Sequence, residues 1–341
     1  MITWPSPLTD GATLAVWAPS SPAPVAFPRR FARGVESLGS EGFTVRPLPS
    51  CEAARGVSTL EPTALAEELH RALLDPEVDG VMAAVGGWTL LNVLPHLNWQ
   101  LIGEAGKPLI GYSDLTTLLN SVSRRSHLVA FHGPMLVSEW GEAGGVWEYT
   151  REEFRALTGG AGLHPGRPVA EPPEWSDELL WWDKEDTRPR APREGERIRT
   201  VRAGTGGGVE GTLWGGSLSV LSLTCGTPYA DPPQDALVFL EAEGLAPDEF
   251  AARLCQLRLA GVFDRAAGVL VGRIGGARAC LSGFTGFDDV LRDLLPAHLP
   301  IAAGYPFGHS TPMLTVPVGG RARLDCAPDG PPRLTLLAPT A

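Results

Sequence analysis

Pro108-Leu109-Ile110-Gly111-Tyr112-Ser113-Asp114-Leu115-Thr116-Thr117-Leu118-Leu119 is an apolar run that stops at a serine and continues in a helix-like pattern. A strand that turns sharply into a helix at a serine has the geometry of a nucleophile elbow, which lifts the hydroxyl out of the sheet edge. The helix behind it offers unpaired backbone N–H groups to a developing negative charge. A plainer reading is that Ser-Asp before a helix is an N-cap. Position 115 is leucine, where a G-x-S-x-G pattern has glycine. On the elbow reading, the rest of the chain must supply a base and an acid.

Outward from this stretch, strand-like and helix-like segments alternate. Thr13 to Ala18 reads as a buried strand ending in the loop Pro19-Ser20-Ser21-Pro22, Phe31 to Leu38 as a helix, and Gly42 to Arg46 as a second strand. Glu61-Pro62-Thr63 marks the start of a helix running to Leu74, and Gly80 to Val85 is a strand entering Gly86-Gly87. Such alternation with continuous apolar strands predicts a parallel sheet covered on both faces. Ligands of these sheets sit beyond the carboxyl ends of the strands, where Gly86-Gly87 and Ser113 both fall. We therefore expect an N-terminal α/β domain over residues 1–158.

From 159 to 208 proline, glycine and charge dominate, interrupted by Trp175, Trp181 and Trp182. This reads as a linker or a loop over the site, and the tryptophans either bind ligand or pack two domains together. Residues 209–341 are richer in strands. Ala236 to Leu240 is a strong strand closed by Glu241, Pro247 to Ala260 a helix, and Gly268 to Gly272 a further strand. Arg321 to Leu337 reads as two short strands around Asp329-Gly330-Pro331.

The 341 residues suffice for two domains. The 39 acidic against 28 basic residues, a net charge of -11, argue against a nucleic-acid partner. Five scattered cysteines (Cys51, Cys225, Cys255, Cys280, Cys326) show no C-x-x-C spacing and read as thiols of a reducing compartment rather than disulfides or metal ligands. The N-terminal segment lacks the pattern of a signal peptide, and no apolar stretch is long enough to span a bilayer. The expectation is a soluble cytoplasmic chain.

Seven histidines are present. His70, His96, His127 and His298 have structural or surface explanations, and His132 reads as structural with a share in shaping the site. His309 lies in the Gly/Pro-bounded loop Tyr305-Pro306-Phe307-Gly308-His309-Ser310-Thr311-Pro312, which can hold an imidazole in place. Taken alone, a loop histidine is more often structural or solvated than catalytic. Glu241 ends an apolar strand, where a carboxylate is costly to bury unless paired. It orients a histidine, faces water or pairs with an arginine, and Glu243 competes for any such role.

The ordered set of Ala18-Pro19-Ser20-Ser21-Pro22, Gly86-Gly87 with Leu91-Asn92-Val93-Leu94-Pro95, Gly111-Tyr112-Ser113-Asp114, Phe131-His132-Gly133-Pro134, Gly215-Gly216-Ser217-Leu218, Gly226-Thr227-Pro228-Tyr229, Phe239-Leu240-Glu241 and Phe307-Gly308-His309 resembles the LD-carboxypeptidase family of serine peptidases. Within it, the chain is similar to the branch that includes microcin C immunity peptidases. The resemblance implies a parallel, flavodoxin-like N-terminal α/β domain with the nucleophile and a β-rich, barrel-like mixed C-terminal domain. It implies a triad of Ser113, Glu241 and His309, with oxyanion donors at Gly87 and Asp114. It also implies a homodimer without metal or organic cofactor. Gly86, Trp88, Trp181, Trp182 and Ser217 are the expected substrate contacts. Ser217 stands where the family often has asparagine, and Trp88-Thr89 where this branch has small polar residues. Two substrates follow: a peptidyl- or aminoacyl-nucleotide conjugate, favoured by the tryptophans because a base stacks on indole, and a murein tetrapeptide. A generic esterase and a non-catalytic binding protein are the other readings.

Overall fold

The computed structural model describes residues 2–159, 167–194, 197–204, 206–279, 286–328 and 330–338. Cys280 and Asp329 lie outside the described residues.

The first half folds as its apolar strands dictate. Thr44–Pro47, Thr13–Trp17, Gly80–Ala83, Leu109–Gly111 and Ala130–His132 lie side by side in that order, all parallel. The chain order across the sheet is 2-1-3-4-5, the doubly wound flavodoxin-like arrangement. The helix read over Phe31 to Leu38 runs from Pro28 to Ser40, with proline in its first turn, where no N–H partner is lost. Pro62–Leu74 likewise begins with a proline.

The second half is an eight-stranded mixed sheet with a parallel centre. Val209–Ser217, Ala236–Glu243, Gly268–Gly275 and Ile301–Tyr305 run parallel, in that spatial order. Arg321–Asp325 and Arg333–Leu336 add antiparallel strands at one side. The segment between the halves supplies both edges: Arg167–Pro168 pairs with Arg333–Leu336, and Arg199–Arg202 with Ile301–Tyr305. The whole is a mixed α/β molecule with a parallel N-terminal sheet and a β-rich C-terminal one.

Side-chain alternation along Ala236–Glu243 decides which way its carboxylates point. Val238, Leu240 and Ala242 pack into a core with Phe250, Leu254 and Leu257 of the helix Pro247–Leu259. Leu237 and Phe239 face the other way, into the core shared with the N-terminal domain. Glu241 and Glu243 share that second parity, so both are directed toward the side on which Ser113 lies.

The two halves are joined where the helix Thr116–Ser121 meets the end of Val209–Ser217. Asn120 donates to the Gly215 carbonyl at 2.8 Å and accepts from the Gly215 N–H at 3.0 Å. The Ser217 N–H donates to Thr116 Oγ1 at 3.1 Å. Val316–Val318 crosses to pair antiparallel with Ala130–His132 on the N-terminal sheet.

Candidate active site

Ser113 has φ of 60°, a left-handed backbone that a serine adopts at a cost of about 1–3 kcal/mol. Its hydroxyl caps no helix. It lies 3.1 Å from His309 Nε2. The turn therefore has the elbow form, followed by a tight turn Ser113–Leu115 and the helix Thr116–Ser121.

Gly86 is packed against the elbow. A Cβ on it would fall 2.8 Å from both Ser113 Cβ and Oγ and 3.5 Å from the Asp114 nitrogen. Gly86 and the Asp114 N–H thus converge beside the serine hydroxyl. The buried Asp114 carboxylate accepts hydrogen bonds from Thr89 and Leu90 N–H, each at 3.0 Å, tying the Gly86-Gly87 loop to the elbow. Gly87 backs onto the Ser20 carbonyl. These loops follow the strands Thr13–Trp17 and Gly80–Ala83, the point where strand order reverses.

His309 Nδ1 lies 2.8 Å from Glu241 Oε2. Burial pushes the imidazole pKa down, but Glu241 first, then Glu243 and Glu139, more than offset this and raise it to about 9. Glu241 is fully buried. Burial pushes its carboxyl up, and His309 and His132 outweigh that, leaving it below the usual carboxylate range. Glu243 Oε2 stands 3.7 Å from His309 Nε2.

Tyr112 packs edge-on against His309, ring centroids 5.0 Å apart, and donates to Glu139 at 2.7 Å. Glu139 also accepts from the Met135 N–H at 2.9 Å. His132 is buried among Tyr112, Phe239 and Phe307. Burial pulls its pKa down to about 4, so it stays neutral.

A cavity of about 230 Å³ opens over Ser113 and His309. Gly86 and Trp182 are in its wall, together with residues that sequence reading did not assign there: Leu179, Arg190 and, from a buried apolar stretch, Met135 and Ser138. Trp88, Trp181 and Ser217 are not among its lining residues. Trp88 and Trp181 are 66% and 61% exposed, and Ser217 is buried in register with Glu241. Trp182 lies against the Arg30 guanidinium, 4.6 Å from the ring centre, and edge-on to Phe27. Asp186 straps its loop to the N-terminal domain through Arg30 at 2.9 Å and through Arg33. Tyr112 stands between a buried strand and the serine, and Glu139 is a carboxylate in an apolar run; both carried a signal. Arg190, inside a proline-rich charged stretch, carried none.

Among the described residues, no cluster of three or more histidine, cysteine or acidic side chains is arranged to hold a metal ion, and no helix is long and apolar enough to cross a membrane. Cys51, Cys225, Cys255 and Cys326 are free thiols.

Comparison with known proteins gives the same architecture. The chain is 28% identical over 327 residues to the microcin C7 self-immunity protein MccF of Escherichia coli, covering 94% of this chain and 92% of that one. It is 27% identical over 328 residues to a probable murein peptide carboxypeptidase of Bacillus subtilis, covering 95% and 92%. The solved structure of MccF with glutamyl sulfamoyl guanosine superimposes with a TM-score of 0.90 at 25% identity, covering 98% of each chain. Residues 14–133 match the LD-carboxypeptidase N-terminal domain and residues 210–324 the LD-carboxypeptidase C-terminal domain. The chain belongs to the LD-carboxypeptidase family and is an enzyme of the serine carboxypeptidase type.

Proposed function

We propose that this enzyme hydrolyses an amide bond in a peptidyl- or aminoacyl-nucleotide conjugate through an acyl-enzyme. Ser113 attacks the scissile carbonyl, and His309 takes its proton and returns it to the leaving nitrogen. Glu241 holds the imidazole tautomer and stabilises the imidazolium. The N–H groups of Asp114 and of the Gly86-Gly87 turn receive the oxyanion, at about 3 kcal/mol for each donor. The observation that carries this reading is the continuous contact from Ser113 Oγ to His309 at 3.1 Å and on to Glu241 at 2.8 Å. It opens onto a cavity with Trp182 in its wall.

The nucleotide part rests on Trp182, whose ring is an apolar surface on which a base can stack. It also fits the likeness to MccF, whose solved complexes hold aminoacyl sulfamoyl nucleosides. A murein tetrapeptide is the second reading, favoured by the likeness to the murein peptide carboxypeptidase. Mass spectrometry of wild-type and Ser113→Ala protein with both substrates tests the proposal. Serine-dependent cleavage of the conjugate supports it. Serine-dependent release of D-alanine alone replaces it with the second reading, and cleavage that survives Ser113→Ala removes the assignment of the nucleophile.

A further inference from the structure

Three ionic side chains face the cavity over Ser113: His309, Arg190 and Glu243. Arg190 already has an anion beside it, since its Nε lies 2.9 Å from Glu142 Oε1, and the two side chains are only 16% and 5% exposed. Glu243 differs. It is 46% exposed, and among the described residues His309 is its sole cationic neighbour within ion-pair distance, at 3.7 Å. That imidazole is already engaged by Glu241 on one nitrogen and Ser113 on the other. Strand parity places Glu243 on the face of Glu241, two residues nearer solvent, and Gly244 then turns the chain away with φ of 65°. One carboxylate therefore sits behind the imidazole, and a second stands beside its catalytic nitrogen at the mouth of the cavity.

We infer that Glu243 is a specificity residue that receives an ammonium group of the substrate on the acyl side of the bond cleaved at Ser113. This rests on the reading of Ser113 as nucleophile. The carboxylate has an open coordination side toward the cavity, and a group bound there lies within a few bonds of a carbonyl placed over Ser113. An N–H⁺ to carboxylate hydrogen bond is of the stronger, charge-assisted kind, and partial exclusion of water strengthens it further. A substrate carboxylate in the same position meets like charge and is excluded. The preferred substrates are thus aminoacyl groups with a free α-amine, or peptidyl groups whose residue on the acyl side carries a side-chain amine, and counterparts in which that amine is acylated are rejected.

The test is equilibrium binding by calorimetry at about pH 7, in a Ser113→Ala background so that hydrolysis plays no part. Two ligand pairs are used: aspartyl sulfamoyl adenosine with its Nα-acetyl derivative, and L-lysyl-D-alanine with its Nε-acetyl derivative. In Ser113→Ala protein, the amine of at least one pair binds about tenfold or more tighter than the acetylated partner. That ratio falls toward one when Glu243→Gln is added and is largely restored by Glu243→Asp. A ratio near one before Glu243 is changed overturns the inference. So does a ratio that survives Glu243→Gln, or no measurable binding of either amine. Failure of the proposed reaction is read separately, as absence of serine-dependent cleavage by the wild-type protein.

Discussion

The carboxylate of Glu241, fully buried, lies 2.8 Å from Nδ1 of His309, a residue 68 positions further along the chain. On its opposite side the same ring reaches Ser113, 196 positions away. An imidazole held between a buried anion and a hydroxyl has, when neutral, its tautomer set by the anion and its other nitrogen left to accept a proton.

Glu241→Gln keeps the shape of the side chain and removes its charge. The amide can present either its NH2 or its oxygen to Nδ1, so the tautomer is no longer enforced. We expect kcat to fall roughly 10³-fold or more with a small change in KM. Steady-state kinetics on any cleaved amide checks this, and a loss below tenfold would remove Glu241 from the catalytic set.

The raised imidazole has opposite consequences for activity and stability. With a pKa of about 9 against an ordinary 6.5, His309 is largely protonated near neutrality and cannot take the proton of Ser113. The kcat/KM of the free enzyme should therefore climb with pH, reach half its plateau near pH 9 and level off above it. The folded protein binds this proton more tightly than the unfolded chain does. Its stabilising share is complete below about pH 6.5 and is lost as pH rises through about 9. Parallel pH series of kcat/KM and of urea midpoints should diverge in this window.

His132 predicts the acid side. Among the described residues its two buried ring nitrogens have no hydrogen-bond partner, and burial pulls its pKa down from 6.5 to about 4. Unfolding releases a histidine that takes up a proton more readily. The stabilising share is thus complete above about pH 6.5 and is lost as pH falls through about 4, up to about 3 kcal/mol. His132→Phe should flatten the fall in unfolding free energy between about pH 6.5 and pH 4.5. An unchanged slope would mean that the burial of His132 does not set it.

Gly308 precedes the His309 imidazole with φ of 102°, and a Cβ there would lie 2.6 Å from Glu241 Cβ. Gly308→Ala combines backbone strain with a collision against the residue that orients His309. Gly226→Ala isolates the strain, since Gly226 has φ of 84° and, among the described residues beyond its two chain neighbours, no atom lies within 4 Å of a Cβ built there. Both should lose about 1–3 kcal/mol, measured by urea unfolding. Only Gly308→Ala should also depress kcat by tenfold or more, because it displaces Glu241.

The amino-acid sequence by itself determined the local geometry. The apolar strands before Gly86 and Ser113 dictated a parallel sheet, and the strand-to-helix switch at Ser113 required a sharp turn, since both depend on neighbours a few residues apart. The strand Ala236–Glu243 was legible too, but its orientation was not. It is apolar on both faces, so which parity meets the N-terminal domain depends on which core each face is packed into. Tertiary packing decided that Glu241 and Glu243 turn toward Ser113, that the Gly308 loop lets His309 reach between them, and that Arg190 and Leu179 return from the tryptophan-rich segment to wall the cavity. It also separated neighbouring tryptophans, placing Trp182 against Arg30 and leaving Trp181 exposed. Such choices join residues far apart in the chain, where no periodicity records the direction of a side chain and only the packing of one domain on the other selects it.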